Sequence, residues 1–399
     1  MGFLHKKGPL ANLYTNTSIL YYTGTMRFIV FAVIFLVVMA LTNAYIYFRF
    51  LKRVAPGYSR LLILIPVILM LGEIFFILDV TTGFIPDSPL LYLIDSAFIG
   101  ITFMLFVVAT IYDLVVTVSS KVPFDRDRRK TIKIIFDLTM IAASMSYLFQ
   151  GLRQGFRPPI INRVQVRLKD FPINNFKIVQ LTDIHVGRTI KRNYVEELVE
   201  RTNALNPDLV VLTGDIIDLP IAKIRHDLEP LRNLKAPTYF TLGNHEYFHD
   251  LEYSIEFLQS LGLRPLLNDS AVIRKSGHEF NLIGINDLTG QRMGIHPPDA
   301  TQAYARADQR RHNIVLAHQP RMIDLVKDFR CDLMLCGHTH GGQIFPFGLL
   351  VMMGQPYLAG LHHHNAETQI FVSRGTGYWG PPLRVLAPSE ISEITLMSA

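Results

Sequence analysis

Gly337-His338-Thr339-His340 follows an apolar run at 333–336 and sets two imidazoles two residues apart at the end of a predicted strand. On extended backbone, residues i and i+2 share a face, so one turn can aim both rings at one point. Four comparable motifs precede it. Thr182-Asp183-Ile184-His185 follows 176–181, with the same spacing between its Asp and His. Gly214-Asp215-Ile216-Ile217-Asp218 follows 209–212, and Gly243-Asn244-His245-Glu246 follows 238–242. Ala317-His318-Gln319-Pro320 ends the run 314–317. The runs 282–285 and 369–373 read as further strands, and Val195, Leu198, Val199, Thr202 and Leu205 fall on one helical face. The alternation predicts a layered α/β domain of roughly 235 residues, large enough for a full core. Such folds gather their sites at the C-terminal ends of strands, so motifs far apart in sequence can form one cluster.

The side chains suit two neighbouring divalent ions. Mixed imidazole, carboxylate and amide ligands favour manganese or iron, with zinc as the alternative. A calcium or magnesium site would use oxygen alone. Two ions about 4 Å apart can share a carboxylate and a hydroxide, and can stabilise both the attacking and the leaving oxygen. Taken singly, an Asp-x-His or Asn-His after a strand is usually a turn. All five motifs in order, each after a strand, are not explained that way.

The five motifs resemble those of the calcineurin-like metallophosphoesterase superfamily over about residues 163–396. The resemblance implies a layered β-sandwich flanked by helices. It implies one metal held by Asp183, His185, Asp215 and His340, and a second held by Asp215, Asn244, His318 and His338, with Asp215 bridging. It makes His245 the histidine that assists the leaving oxygen, and Asp218 the carboxylate that orients His245. The implied reaction is attack on phosphorus by a hydroxide shared between the metals. Gly337-His338-Thr339-His340-Gly341-Gly342-Gln343-Ile344 and Val372-Ser373-Arg374-Gly375-Thr376-Gly377 resemble the bacterial membrane-anchored or exported phosphodiesterase branch.

One departure is informative. Protein phosphatases of the superfamily continue the second motif with Arg-Gly, whereas Leu219-Pro220 follow Asp218 here. A phosphodiester is therefore expected over a phosphoprotein. Arg188, Arg374 and Arg384 are the alternative phosphate contacts, and Trp379 is a further substrate-binding candidate. One rival is a pyrophosphohydrolase of lipid A synthesis acting on UDP-diacylglucosamine, which would face the cytoplasm. The other is a membrane receptor or transporter that only binds a ligand, in which missing metal ligands would be no surprise. All seven are present.

The chain has 399 residues, 49% hydrophobic and 18% charged, an apolar balance that points to lipid. The apolar residues crowd the N-terminal part. Residues 1–157 read as a helical anchor with spans at about 28–48, 61–78, 90–118 and 132–152. Residues 158–175, with Pro158-Pro159, form a linker leading into the phosphoesterase domain at 163–399. The first span is too long for a cleaved signal, and Lys6 stands where a myristoylation signal needs Ser or Thr.

The first connection carries Arg49, Lys52, Arg53 and Arg60, and the third Lys121, Arg126, Arg128, Arg129 and Lys130. The second, 79–89, has no Lys or Arg. The positive-inside rule then places the first and third connections in the cytoplasm and the C-terminal domain outside the cytoplasmic membrane. The run from Arg128 to Lys133 reads as ordinary positive flanking or as a twin-arginine export signal, and either reading exports the domain. Glu73, Asp113 and Asp137 are ionisable residues within spans, which hydrogen-bond inside the bundle or line a path.

The formal charge is +6, with the basic residues flanking apolar segments rather than forming a stripe, so no nucleic acid partner is expected. Cys331 and Cys336 read as small buried residues on opposite faces of one strand, unlinked. Residues 345–353, Phe-Pro-Phe-Gly-Leu-Leu-Val-Met-Met, are unusually apolar for a connection, and the only Trp, Trp379, stands among turn residues. Two readings stand: a buried hairpin with a packed Trp, or an apolar rim beside the metals that meets the bilayer and an amphiphilic phosphodiester.

Overall fold

A computed structural model describes residues 29–82, 88–121 and 126–399. Position 6, the first residue of the first predicted span, and parts of the second and third connections lie outside them. Among the described residues four helices are long and apolar enough to cross a membrane: α1 (Ile29–Val54), α2 (Pro56–Thr82), α3 (Pro89–Ser119) and, from Lys130 on, α4 (Arg126–Gly155). The chain divides into two compact units, the described parts of Met1–Pro86 and Phe98–Ser144, and Asp87–Ala97 with Met145–Ala399.

In the first unit Asp113, Asp137 and Glu73 are each partnered. Asp113 pairs with Arg49 at 2.6 Å and Arg53 at 3.0 Å, and Asp137 accepts from Lys133 and from the Tyr112 hydroxyl at 2.9 Å. Asn43 donates to the buried Glu73 at 2.9 Å. Glu73 is thus hydrogen-bonded inside its own bundle.

The second unit is a sandwich of two six-stranded sheets. The first has the order β1 (Ile160–Leu168), β12 (Glu390–Ser398), β2 (Phe176–Leu181), β3 (Leu209–Thr213), β4 (Thr238–Thr241) and β5 (Arg264–Pro265). The second has β10 (Gly360–His363), β11 (Gln369–Val372), β9 (Leu333–Cys336), β8 (Asn313–Leu316), β7 (His278–Gly284) and β6 (Asp269–Lys275). β2, β3, β4 and β5 run parallel, as do β11, β9, β8 and β7. Strands such as Leu-Val-Val-Leu-Thr at 209–213 are buried on both faces, as parallel central strands are, and their β-branched residues fill both sides.

One apolar cluster, with Phe176, Val211, Leu282, Ile314, Leu333 and Phe371, lies between the sheets. A second packs the outer face of the first sheet against α5 (Arg192–Ala204), α6 (Ile221–Leu228) and α7 (Leu251–Ser260). A third covers the second sheet. Gln180, fully buried in β2, ties the sheets together by donating to Thr213 Oγ1 at 2.8 Å and to the Cys336 carbonyl at 2.9 Å. Cys331 and Cys336 are free and buried, but both lie in the third cluster. Cys331 precedes β9, so strand alternation does not send them to opposite faces.

Candidate metal centre

The parallel strands β2, β3, β4, β8 and β9 deliver all five motifs to one end of the sandwich. Their loops turn sharply. Asp183, His185, Asp215, His338 and His340 all have φ between 50° and 70°, the left-handed region that non-glycine residues avoid. Strain of this kind collects where surrounding structure dictates the backbone, and functional sites are the usual place. Two glycines are required by close approach. A Cβ on Gly243 would sit 2.2 Å from Asp215 Oδ1, and one on Gly337 would sit 2.2 Å from Asp183 Oδ2.

Among the described residues three groups of ligand atoms result, two of them matching the sequence reading and a third joining His185, Asp215 and His245 between them. Asp183, His185 and His340 form one: His340 Nε2 lies 3.3 Å from Asp183 Oδ1 and 3.1 Å from His185 Nε2. Asp215, His318 and His338 form the other: His318 Nε2 lies 3.2 Å from Asp215 Oδ2 and 3.3 Å from His338 Nδ1. Asp215 Oδ2 is also 3.8 Å from His185 Nε2, so this carboxylate stands between the clusters.

The far ring nitrogens fix the tautomers. His318 Nδ1 donates to the Thr213 carbonyl at 2.8 Å, and His185 Nδ1 donates to Asp218 Oδ1 at 2.6 Å. Each turns its Nε2 to the cluster, the arrangement of a metal-ligating histidine with its outer partner. Burial opposes charge on His318, but Asp215 outweighs it and holds the ring well above the ordinary range, a proton that a metal ion would displace. Asn244 Oδ1 is buried with no hydrogen-bond partner, a costly state that a cation would relieve. The donor set therefore fits metal ions.

Burial and neighbouring charge set the protonation. Burial, reinforced by His318, pushes His338 down to about 3. Burial, with His185 and Arg384 beside it, also holds His340 well below the ordinary range. Both rings are neutral, as ligands must be. Asp215 is buried, yet His318 and His245 bring it well below the carboxylate range. Burial opposes charge on His245, but Asp215 and Asp218 outweigh it and raise the ring to about 9.

His245 lies beside the clusters with Nε2 3.8 Å from Asp215 Oδ2 and Nδ1 2.7 Å from Asp218 Oδ1. Asp218 thus serves two histidines through one oxygen, where the motif reading gave it His245 alone. Glu246 has a role that the sequence did not reveal. It is fully buried and accepts from the N–H groups of Gly243, Asp215, Ile216 and Ile217 at 2.7–3.3 Å, holding two of the site loops together. A charged residue directly after Asn-His was its only visible signal.

The arginines separate. Arg384 is fully buried and donates to the carbonyls of His340, Arg374, Gly377 and Ala387, so it braces the loop and does not reach a substrate. Its exclusion from water explains why the charge it brings is spent on backbone carbonyls. Arg374 pairs with the buried Glu390 at 3.0 Å. The Arg188 guanidinium lies 5.1 Å from the Tyr92 ring centre. Trp379 is exposed, its ring 6.2 Å from that of His245. The buried-hairpin reading of residues 345–353 does not hold. Phe345, Phe347, Leu349, Leu350, Met352 and Met353 are all exposed, and Gly348–Val351 forms a short helical turn.

The calcineurin-like phosphoesterase profile matches residues 176–342, which hold all five motifs. A Helicobacter pylori protein called an uncharacterized metallophosphoesterase is 36% identical over 375 residues, covering 92% of this chain and 98% of its own. A Danio rerio protein called a transmembrane protein with metallophosphoesterase domain is 36% identical over 62% of this chain and 60% of its own. Phosphodiesterase YaeI of Escherichia coli is 33% identical over 51% of this chain and 75% of its own. A near-full-length relative and a matching profile that spans these two carboxylate–imidazole clusters give the same answer: the chain belongs to the calcineurin-like metallophosphoesterases.

Proposed function

We propose that this membrane protein hydrolyses a phosphodiester of a lipid or cell-envelope compound, with its catalytic domain outside the cytoplasmic membrane. The observation that carries the chemistry is the convergence of ring nitrogens, His185 Nε2 on His340 Nε2 in one cluster and His318 Nε2 on His338 Nδ1 in the other, with the unpartnered Asn244 Oδ1. Asp183, His185, Asp215 and His340 would hold one ion, and Asp215, Asn244, His318 and His338 the second. Manganese or iron suits this donor set best. Bound there, two divalent ions supply a nucleophilic water at neutral pH and charge stabilisation at the phosphoryl oxygens.

The chain's own groups do the rest. His245, raised to about 9, keeps its proton at neutral pH and presents Nε2–H to the leaving oxygen. Asp218 accepts from Nδ1 and fixes the ring. Arg384 and Arg374 are engaged by carbonyls and Glu390, which leaves neither of these two candidate cations free to grip a dianionic monoester. That favours a diester, as does the likeness to a relative named phosphodiesterase. The test uses the full-length protein in detergent with manganese. Bis(nitrophenyl) phosphate should be cleaved faster than nitrophenyl phosphate, and a chelator should stop both. Turnover of the monoester alone, or turnover indifferent to chelation, would overturn the reading.

A further inference from the structure

The unit that carries the candidate metal centre also contains residues 145–155, the end of α4, and the described part of Asp87–Ala97, which includes the start of α3 at Pro89. These are apolar ends of membrane helices, and Leu90, Met145 and Phe149 are exposed on them. The loops around the site rest on them. The Tyr147 hydroxyl donates to the Phe345 carbonyl, and the Arg384 N–H donates to the Gly151 carbonyl at 3.0 Å. Residues 345–353 therefore start on the side of a membrane helix rather than beyond its tip.

Tyr147 lies five residues inside the end of the apolar segment at Leu152 and eight inside the helix end at Gly155. At 1.5 Å per residue this is roughly 8–12 Å of depth. The polar layer of one leaflet is about 5–8 Å thick, so the segment reaches the edge of the hydrocarbon. What it presents there is apolar: its six large side chains from Phe345 to Met353 are between 44% and 83% exposed. A surface of that kind on a water-facing loop marks an interaction site. It continues toward the metals. Gln343 holds the Trp379 backbone through bonds of 2.9 and 3.1 Å, and Trp379 and Phe248 both lie edge-on to His245.

We propose that residues 345–353, with Trp379 beside them, are embedded in the bilayer surface, and that the substrate enters the site sideways from that leaflet. The second half rests on the proposed phosphodiesterase activity; the first does not. A membrane is the fitting occupant because the segment is fastened to a helix that is itself lipid-facing at the same level.

The chain's single tryptophan makes the contact directly readable. The full-length protein is reconstituted in phosphatidylcholine–phosphatidylglycerol vesicles, with bromines placed high or low on the acyl chains. Trp379 emission should be quenched most by bromines near the carbonyls and little by acrylamide from the water. Unquenched emission with free access to acrylamide overturns the proposal. Shielding from both quenchers means that a protein surface, such as a second copy, covers the patch, and overturns it equally. The variant Leu349→Ser with Leu350→Ser should lower turnover of a long-chain phospholipid diester in vesicles about tenfold, while leaving bis(nitrophenyl) phosphate turnover unchanged. Equal loss on both substrates refutes lateral entry. A wild-type protein inactive on the nitrophenyl diester refutes the catalytic reading, while the quenching still decides the membrane contact.

Discussion

Asp218→Ala separates the structure's account of the site from the simpler one. Asp218 Oδ1 lies 2.6 Å from His185 Nδ1 and 2.7 Å from His245 Nδ1, so one substitution removes an outer partner from the candidate ligand His185 and from the proposed acid His245. A hydrogen bond to a charged group contributes about 1.5–3 kcal/mol, or about 10- to 150-fold for each histidine. Manganese affinity should therefore fall by about 10- to 100-fold, the usual cost of a lost outer partner. At saturating manganese, turnover should remain about 10- to 150-fold low, because the second bond is still missing. The pH profile adds a sign. His245 stands near 9 because Asp215 and Asp218 favour its proton against burial. Without Asp218 the proton leaves at lower pH, so the alkaline limb of kcat/KM moves toward acid. Asp218→Asn keeps the shape, loses the charge and should fall between. Metal content after dialysis at fixed free manganese, together with bis(nitrophenyl) phosphate kinetics across pH, makes the measurement. Wild-type metal affinity with lowered turnover would refute the double role and return Asp218 to His245 alone.

Other outcomes follow from the same geometry. Asp215→Asn takes the charge from between the two clusters, and should abolish hydrolysis and lower metal content by elemental analysis. His245→Ala should keep the metals and lose about 100-fold or more in turnover; loss of metal instead would make His245 a ligand. Glu246→Gln turns an amide NH₂ toward two backbone donors whichever way it flips, and should destabilise the domain by about 3 kcal/mol. Calorimetry should then show a midpoint lowered by roughly 6–12 °C. A C-terminal reporter active only in the cytoplasm should stay silent if the positive-inside reading is right; a bright one transfers the case to the cytoplasmic lipid A pyrophosphohydrolase.

The parts of the fold legible in the sequence were those whose environment is uniform. β2, β3, β4, β8, β9 and β11 are buried on both faces and read as short continuous apolar runs. β1 and β12 did not stand out. β1 alternates exposed and buried residues, and β12 carries Glu390 and Glu393 inside the sheet, where Arg374, Arg163 and Lys177 neutralise them. Their pairing joins residues 160 and 390, a contact that no local pattern announces. The candidate site was legible for a similar reason. Each candidate ligand sits in the loop that follows its strand, so spacing alone singles it out. The shared acceptor Asp218, the loop clamp Glu246 and the backbone brace Arg384 depend on how loops cross in space, and residue type alone gave them other roles or none.

The left-handed backbone at Asp183, His185, Asp215, His338 and His340 has a consequence for anyone who evolves this protein in the laboratory. At each of these positions glycine or asparagine would relax the chain. A library screened for heat resistance alone would therefore be rewarded for erasing these candidate metal ligands one at a time, each erasure trading the proposed centre for a sturdier chain. Here robustness and activity are opposing demands on the same five dihedral angles, so any stabilisation campaign has to select for turnover in the same round.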